Sequence, residues 1–192
     1  MRKVSYLNIK LILNILGLLI MINGAFMLSC LIFSFYYGED SWKAILYSGL
    51  LTILSGSLLY FSTKRKLRND LKKKDGYLVV SLGWLSMVLF GTLPYLLSDS
   101  IPGFGNAFFE TMSGFTTTGA TILSDIESID KGILFWRSLT HWIGGMGIIV
   151  LAVAILPLLG IGGMQLFSAE APGVSPDKLH PRITETAKRL WL

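Results

Sequence analysis

Phe104-Gly-Asn-Ala-Phe-Phe-Glu-Thr-Met-Ser-Gly-Phe-Thr-Thr-Thr-Gly-Ala-Thr121 is the stretch on which the fold turns. Its first part, Phe104 to Phe115, is apolar enough to enter a membrane. At roughly 1.5 Å per residue it makes a helix of only about 18 Å, too short to cross a hydrocarbon core of about 30 Å. Ile101-Pro102-Gly103 before it is a turn signal, and Asn106 is the expected N-cap. Thr116 to Thr121 is rich in β-branched residues and poor in helix formers, so it is expected to run extended. Six extended residues reach about 20 Å, enough to climb back to the surface the short helix left. A short helix in and a strand out make a re-entrant loop. Such backbone survives at membrane depth only where it is buried in protein or lines water.

The surroundings agree. The 192-residue chain is 52% hydrophobic, with a mean hydropathy of +0.60. Four long apolar segments stand out: Leu11–Tyr37, Ala44–Phe61, Tyr77–Leu97 and Ile133–Ile161. The first exceeds the 7–15 residues of a secretory h-region and no small-residue cleavage site closes it, so it reads as a retained anchor. The fold class expected is therefore an all-α membrane protein with four transmembrane helices, one re-entrant pore helix and an extended filter strand. Crossing at each segment places the N-terminus, the Lys64–Lys74 run and the C-terminal tail on one side. That side holds fourteen of the seventeen Lys and Arg, leaving Lys43, Lys131 and Arg137 opposite. The bias predicts cytoplasmic N- and C-termini. The net charge of +5 is thus a matter of topology and anionic lipid headgroups. It does not mark a nucleic-acid surface, since no stacking aromatics are interleaved with the basic run.

The chemistry sits in Thr116–Thr121. A dehydrated monovalent cation needs oxygens in place of its hydration shell, and aligned backbone carbonyls provide them. Gly119 reaches φ > 0 without a Cβ penalty, and the stiff threonines pack behind the strand and add hydroxyl oxygens. The helix ahead would aim its partially negative end at the ion. Glu110, ionisable at membrane depth, is either functional or a brace bonding nearby backbone and hydroxyls, and the brace is favoured. Arg137 and His141 share a helical face and read as interfacial anchors of the fourth span. A lone histidine makes a poor metal site, with His180 far away in the tail, so no transition-metal site is expected. Cys30 is an apolar filler. Pro94 and Pro157 are expected to kink their spans, and Gly144–Gly147 and Gly160–Gly163 suggest close packing or a hinge. Trp42, Trp136 and Trp142 are expected at interfaces, and Trp84 deeper. No Walker-type loop occurs. No carboxylate pair or activated nucleophile shares a segment either, so the chain is not expected to be an enzyme.

Phe108–Thr121 resembles the first pore loop of the Trk/Ktr potassium-uptake family. The likeness continues through Phe135-Trp-Arg-Ser-Leu-Thr-His-Trp-Ile-Gly-Gly-Met-Gly147 and Ser168-Ala-Glu-Ala-Pro-Gly173. Two spans ahead of the first pore unit are nearer the Trk branch than the Ktr branch. The resemblance implies four helix–pore-loop–helix units around one pore, each with a filter glycine. Thr117, Thr118 and Gly119 would then bind potassium, flanked by the weaker candidates Thr116, Ala120 and Thr121, with Glu110 as the pore-helix brace. It implies K+ as the transported ion, no bound cofactor, a prokaryotic inner-membrane location, and a cytosolic nucleotide-binding ring as regulatory partner. Residues 1–75 are expected to form a leading two-span hairpin and 76–165 the first of four repeats. Residues 166–192 would be a cytoplasmic segment and the start of a further repeat. With one pore loop and Lys188-Arg-Leu-Trp-Leu192 resembling the collar of another span, the chain is expected to be an N-terminal fragment. The alternatives are a homotetrameric pore of identical chains, or a non-transporting assembly or regulatory protein.

Overall fold

The computed structural model describes residues 7–64 and 73–158. Most of the basic run, Gly160–Gly163, Ser168–Gly173, His180 and the collar at Lys188–Leu192 lie outside these residues. The described chain is helical, with no strand among the described residues. It divides into a unit ending at His141 and a second beginning at Trp142.

The first apolar segment forms α1 (Ile9–Ser29) and α2 (Leu31–Tyr37), interrupted at Cys30. Ser29 Oγ and Cys30 Sγ both donate to Phe26 O, at 2.6 and 3.4 Å. Such side-chain bonds compete with the main-chain ladder for a carbonyl. After the left-handed Gly38 (φ 66°), α3 (Trp42–Lys64) returns alongside α1. Four glycines set that crossing. A Cβ added at Gly17 would lie 2.8 Å from Gly56 O, and one at Gly56 would lie 2.7 Å from Gly17 O. One added at Gly24 would meet Gly49 O at 3.0 Å. Backbones this close exclude any larger side chain, and small residues are the usual means of packing helices where lipid offers no hydrophobic drive. The two asparagines of α1 become interhelical ties. Asn14 Nδ2 donates to Tyr60 O (2.9 Å) and Thr63 Oγ1 (3.1 Å) on α3, and Asn23 Nδ2 to Met87 O (3.2 Å) on the next helix.

That next helix, α4 (Lys73–Gly91), stops at Thr92 and is followed by the short α5 (Leu93–Leu97), with Pro94 in its first turn. Proline lacks the N–H that would extend α4 and crowds the carbonyl four residues back, so the helix breaks there. At the break, the Trp136 indole donates to Gly91 O at 3.0 Å. Trp136 is fully buried within the chain. Among the described residues, three segments are long and apolar enough to cross a membrane: Ile9–Tyr37, Trp42–Thr63 and Lys74–Leu97.

The short helix α6 covers Phe104–Phe115, as expected from sequence. Its N-cap is Gly103 (φ 85°), not Asn106. Gly103 in this conformation turns the chain directly into the helix, which leaves Asn106 in the first turn, where its amide donates back to Pro102 O at 3.2 Å. Helix α7 runs from Lys131 to Leu158, three residues short of the expected end of the fourth segment, the remainder lying outside the described residues. Within the first unit α6 is wedged tightly. A Cβ at Gly91 would meet Thr111 Cγ2 at 2.7 Å, and one at Gly114 would collide with Thr140 Oγ1.

Candidate functional site

The chain leaving α6 does not run uniformly extended. Thr116 caps the helix (φ −84°, ψ 0°), and Thr117 then takes φ 55°. Thr117 N donates to Gly114 O at 2.9 Å and Thr118 N to Ser113 O at 3.0 Å. These two bonds and the left-handed residue define a Schellman stop, which satisfies the last carbonyls of the helix. Glycine normally holds that left-handed position, and a β-branched residue there is a genuine outlier. Gly119 is left-handed as well (φ 77°), whereas Thr118 and Ala120 are not. The sign of φ therefore alternates from Thr117 to Ala120. This corrects the expected extended strand, whose successive carbonyls would point to opposite sides. Alternation lets successive peptide planes turn over, and glycine carries its share of it at no steric cost. Thr116 to Ile122 are all exposed.

The segment is tied to the helix at several points. The Ser113 hydroxyl donates to Ala120 O at 2.5 Å, so that carbonyl faces α6. Thr116 Oγ1 donates to Met112 O (2.8 Å) and lies 2.8 Å from Thr118 Oγ1. The buried Glu110 carboxylate accepts from the Thr121 hydroxyl at 2.9 and 3.0 Å and from Ile122 N at 3.0 Å. The Arg137 guanidinium reaches it from α7, Nε to Oε1, at 2.8 Å. A carboxylate only 1% exposed needs such company, since an unpaired buried charge is strongly unfavourable. Glu110 thus fastens the far end of the segment to the helix that began it.

Arg137, expected as an interfacial anchor, is the counter-ion of this brace. His141, one turn on, has its Nδ1 3.0 Å from Arg137 O within α7. No cluster of three metal-ligating side chains occurs among the described residues. The role of Ser113 and the pairing of Arg137 with Glu110 are not evident from sequence alone. The signals were a hydroxyl in the last turn of the short helix, and a lone arginine in an apolar segment alongside a lone glutamate in another.

Comparison with known proteins places this architecture. The TrkH family profile, described as a cation transport protein, matches residues 41–192. The Trk system potassium uptake protein TrkH of Halomonas elongata is 43% identical over 187 residues, covering 96% of this chain and 39% of the relative. TrkH of Escherichia coli K12 is 43% identical over 189 residues, with 97% and 39% covered. The crystal structure of the potassium transporter TrkH from Vibrio parahaemolyticus superimposes with a TM-score of 0.81 at 37% identity, covering 96% of this chain and 36% of that one. The chain therefore spans about two-fifths of the length of the curated relatives it matches.

Proposed function

The chain belongs to the TrkH family of cation transport proteins, and from that premise we propose that Thr116–Thr121 is one quarter of a potassium-selective filter. The observation that carries the proposal is the alternating backbone from Thr117 to Ala120. A left-handed threonine costs on the order of 1–3 kcal/mol and persists only where the surroundings impose it. The Schellman bonds, Ser113 and the Glu110 brace are that imposition. What the strain provides is a row of oxygens facing one way, able to replace the hydration shell of an alkali cation. Thr117, Thr118 and Gly119 supply the potassium-coordinating oxygens. Ala120 and Thr121 are held back by Ser113 and Glu110 and act as the frame. The C-terminal end of α6, with its partial negative charge, favours a cation in front of it. The Glu110–Arg137 pair adds no net charge.

In this reading α7 is the fourth membrane span. Residues 1–75 form a leading hairpin and residues 76–165 the first pore unit, with both termini in the cytoplasm of a prokaryote and the spans in its inner membrane. K+ is cargo, and no cofactor takes part. One exposed filter segment needs others around it, supplied by further repeats as in the family or by identical chains. Crosslinking in mild detergent separates the two, since only the second gives a ladder ending at four copies. A cytosolic nucleotide-binding ring is the regulatory partner.

The test is Gly119→Ala in the assembled pore containing this chain. Within this chain a Cβ at Gly119 meets nothing within 4 Å, so what it disturbs here is the left-handed backbone, which alanine resists. The potassium-over-sodium permeability ratio is expected to fall about tenfold, equivalent to roughly 1.4 kcal/mol. An unchanged ratio refutes the filter assignment.

A further inference from the structure

Beyond the filter itself, the outer turn of the leading hairpin bears on the first unit at one place. Glu39, in the turn between α2 and α3, accepts hydrogen bonds from the first two N–H groups of α7: Lys131 N to Oε1 at 2.7 Å and Gly132 N to Oε2 at 3.1 Å. These N–H groups have no partner inside their own helix, and they lie at the positive end of its dipole. The carboxylate that caps them comes from 92 residues earlier in the chain. Helix α2, leading into this turn, holds α7 laterally. Any Cβ at Gly132 would collide with Ser34 Oγ, and Ser34 Oγ lies 3.1 Å from Ser41 Oγ, both serines being buried. The Phe33 ring stacks on Phe135, with centroids 3.9 Å apart and planes inclined by 25°.

From these observations we infer that Glu39 is a positioning residue for the filter, acting through the start of α7. The inference rests on the filter reading above. Arg137 stands five residues beyond Gly132, about 7.5 Å along the same stiff helix. Its 2.8 Å contact with Glu110 is near the short end of hydrogen-bond distances, and a shift of α7 by 1 Å stretches it beyond bonding range. Glu110 in turn holds Thr121 Oγ1 and Ile122 N at the end of the filter segment. The carboxylate on the hairpin therefore sets the height and rotation of α7, α7 sets Arg137, and Arg137 sets the brace. A hairpin that supplies no filter oxygen thereby governs how firmly the filter is held.

The experiment compares Glu39→Gln, Glu39→Asp and the parent in the assembled pore. Glutamine keeps one carbonyl acceptor but loses the charge and the second acceptor, while aspartate keeps both on a shorter arm. Glu39→Gln is expected to lower the potassium-over-sodium ratio roughly fivefold, the equivalent of one lost helix cap. It is also expected to speed amide hydrogen exchange at Ile122 as well as at Lys131 and Gly132. Glu39→Asp should recover part of both effects. Combined with Arg137→Lys, Glu39→Gln should act less than additively, because both changes loosen the same brace; independent sites add. Faster exchange confined to residues 131–132 with an unchanged ratio overturns the inference, as does strict additivity with Arg137→Lys. Should Glu39→Gln fail to accumulate in the membrane, exchange and selectivity of Glu39→Asp decide in the same way. If Gly119→Ala also leaves the ratio unchanged, the filter reading has failed. If Gly119→Ala lowers it while the Glu39 variants do not, only the clamp has.

Discussion

Thr117 occupies a position where helices ordinarily end in glycine, and its hydroxyl-bearing, β-branched side chain is kept there against its own backbone preference. That conflict makes a prediction of opposite signs. Thr117→Gly should raise thermal stability in detergent by about 1 kcal/mol, because glycine adopts the left-handed region freely. Under the proposed filter assignment the same change should weaken potassium selectivity, since one hydroxyl and one stiff residue are gone. A variant that is less stable, or as selective as the parent, contradicts this account. Glu110 invites a second comparison. Glu110→Ala leaves Arg137 without its partner and frees Thr121 and Ile122, and breaking a buried pair of this kind costs about 3–5 kcal/mol. Arg137 is 19% exposed and recovers some hydration, so the lower end of that range is expected in thermal unfolding. At this scale the sequence was legible where chemistry is local. The Thr-Thr-Gly run and an ionisable residue within the short helix can be seen by eye. The partner of Glu110 could not be, because Arg137 lies 27 residues away and only the packing of α6 against α7 brings it near.

Among the elements, the bounds of α6 followed from turn chemistry and hydrophobicity alone, because both of its ends are written locally: Pro102-Gly103 before it and three threonines after it. The interruption at Cys30 is not legible, since Leu11–Tyr37 carries no charge and no proline, and small side chains at the break compete for Phe26 O. The segment after α6 departs from an extended strand for a related reason. β-branching predicts extension in a free segment, whereas hydrogen bonds from Ser113, Glu110 and the helix end override that propensity here. The four glycines of α1 and α3 passed without notice because each is unremarkable alone, and their meaning is the pairing of Gly17 with Gly56 and Gly24 with Gly49. They give a graded prediction. Gly56→Ala places a Cβ against Gly17 O and Met21 N and should cost about 1–3 kcal/mol, the usual range for overpacking. Gly83→Ala meets only the flexible ends of the Leu19 and Leu16 side chains, at 3.2 and 3.9 Å, and thermal unfolding should scarcely change.

For the molecule as a whole, hydropathy and charge placement are the readable signals, and the helical fold is shared with the TrkH structure from Vibrio parahaemolyticus. The proposed topology puts the turn at Glu39 and the loop at 124–130 on the outer side. A cysteine at Ser128, which is exposed, should therefore react in intact cells with a membrane-impermeant maleimide. Cys30, completely buried, should remain unlabelled in the parent. Labelling of Ser128→Cys only after the membrane is opened would reverse the orientation. The paired glycines have a mechanical consequence at this scale. Their two contacts repeat at the same interval on both helices, like a key cut with two matching notches. Sliding α1 along α3 by one residue, about 1.5 Å, would drive side chains into backbone at both notches together. The hairpin cannot telescope. A movement of the hairpin therefore carries both helices together, with its turn travelling as the tip of a lever.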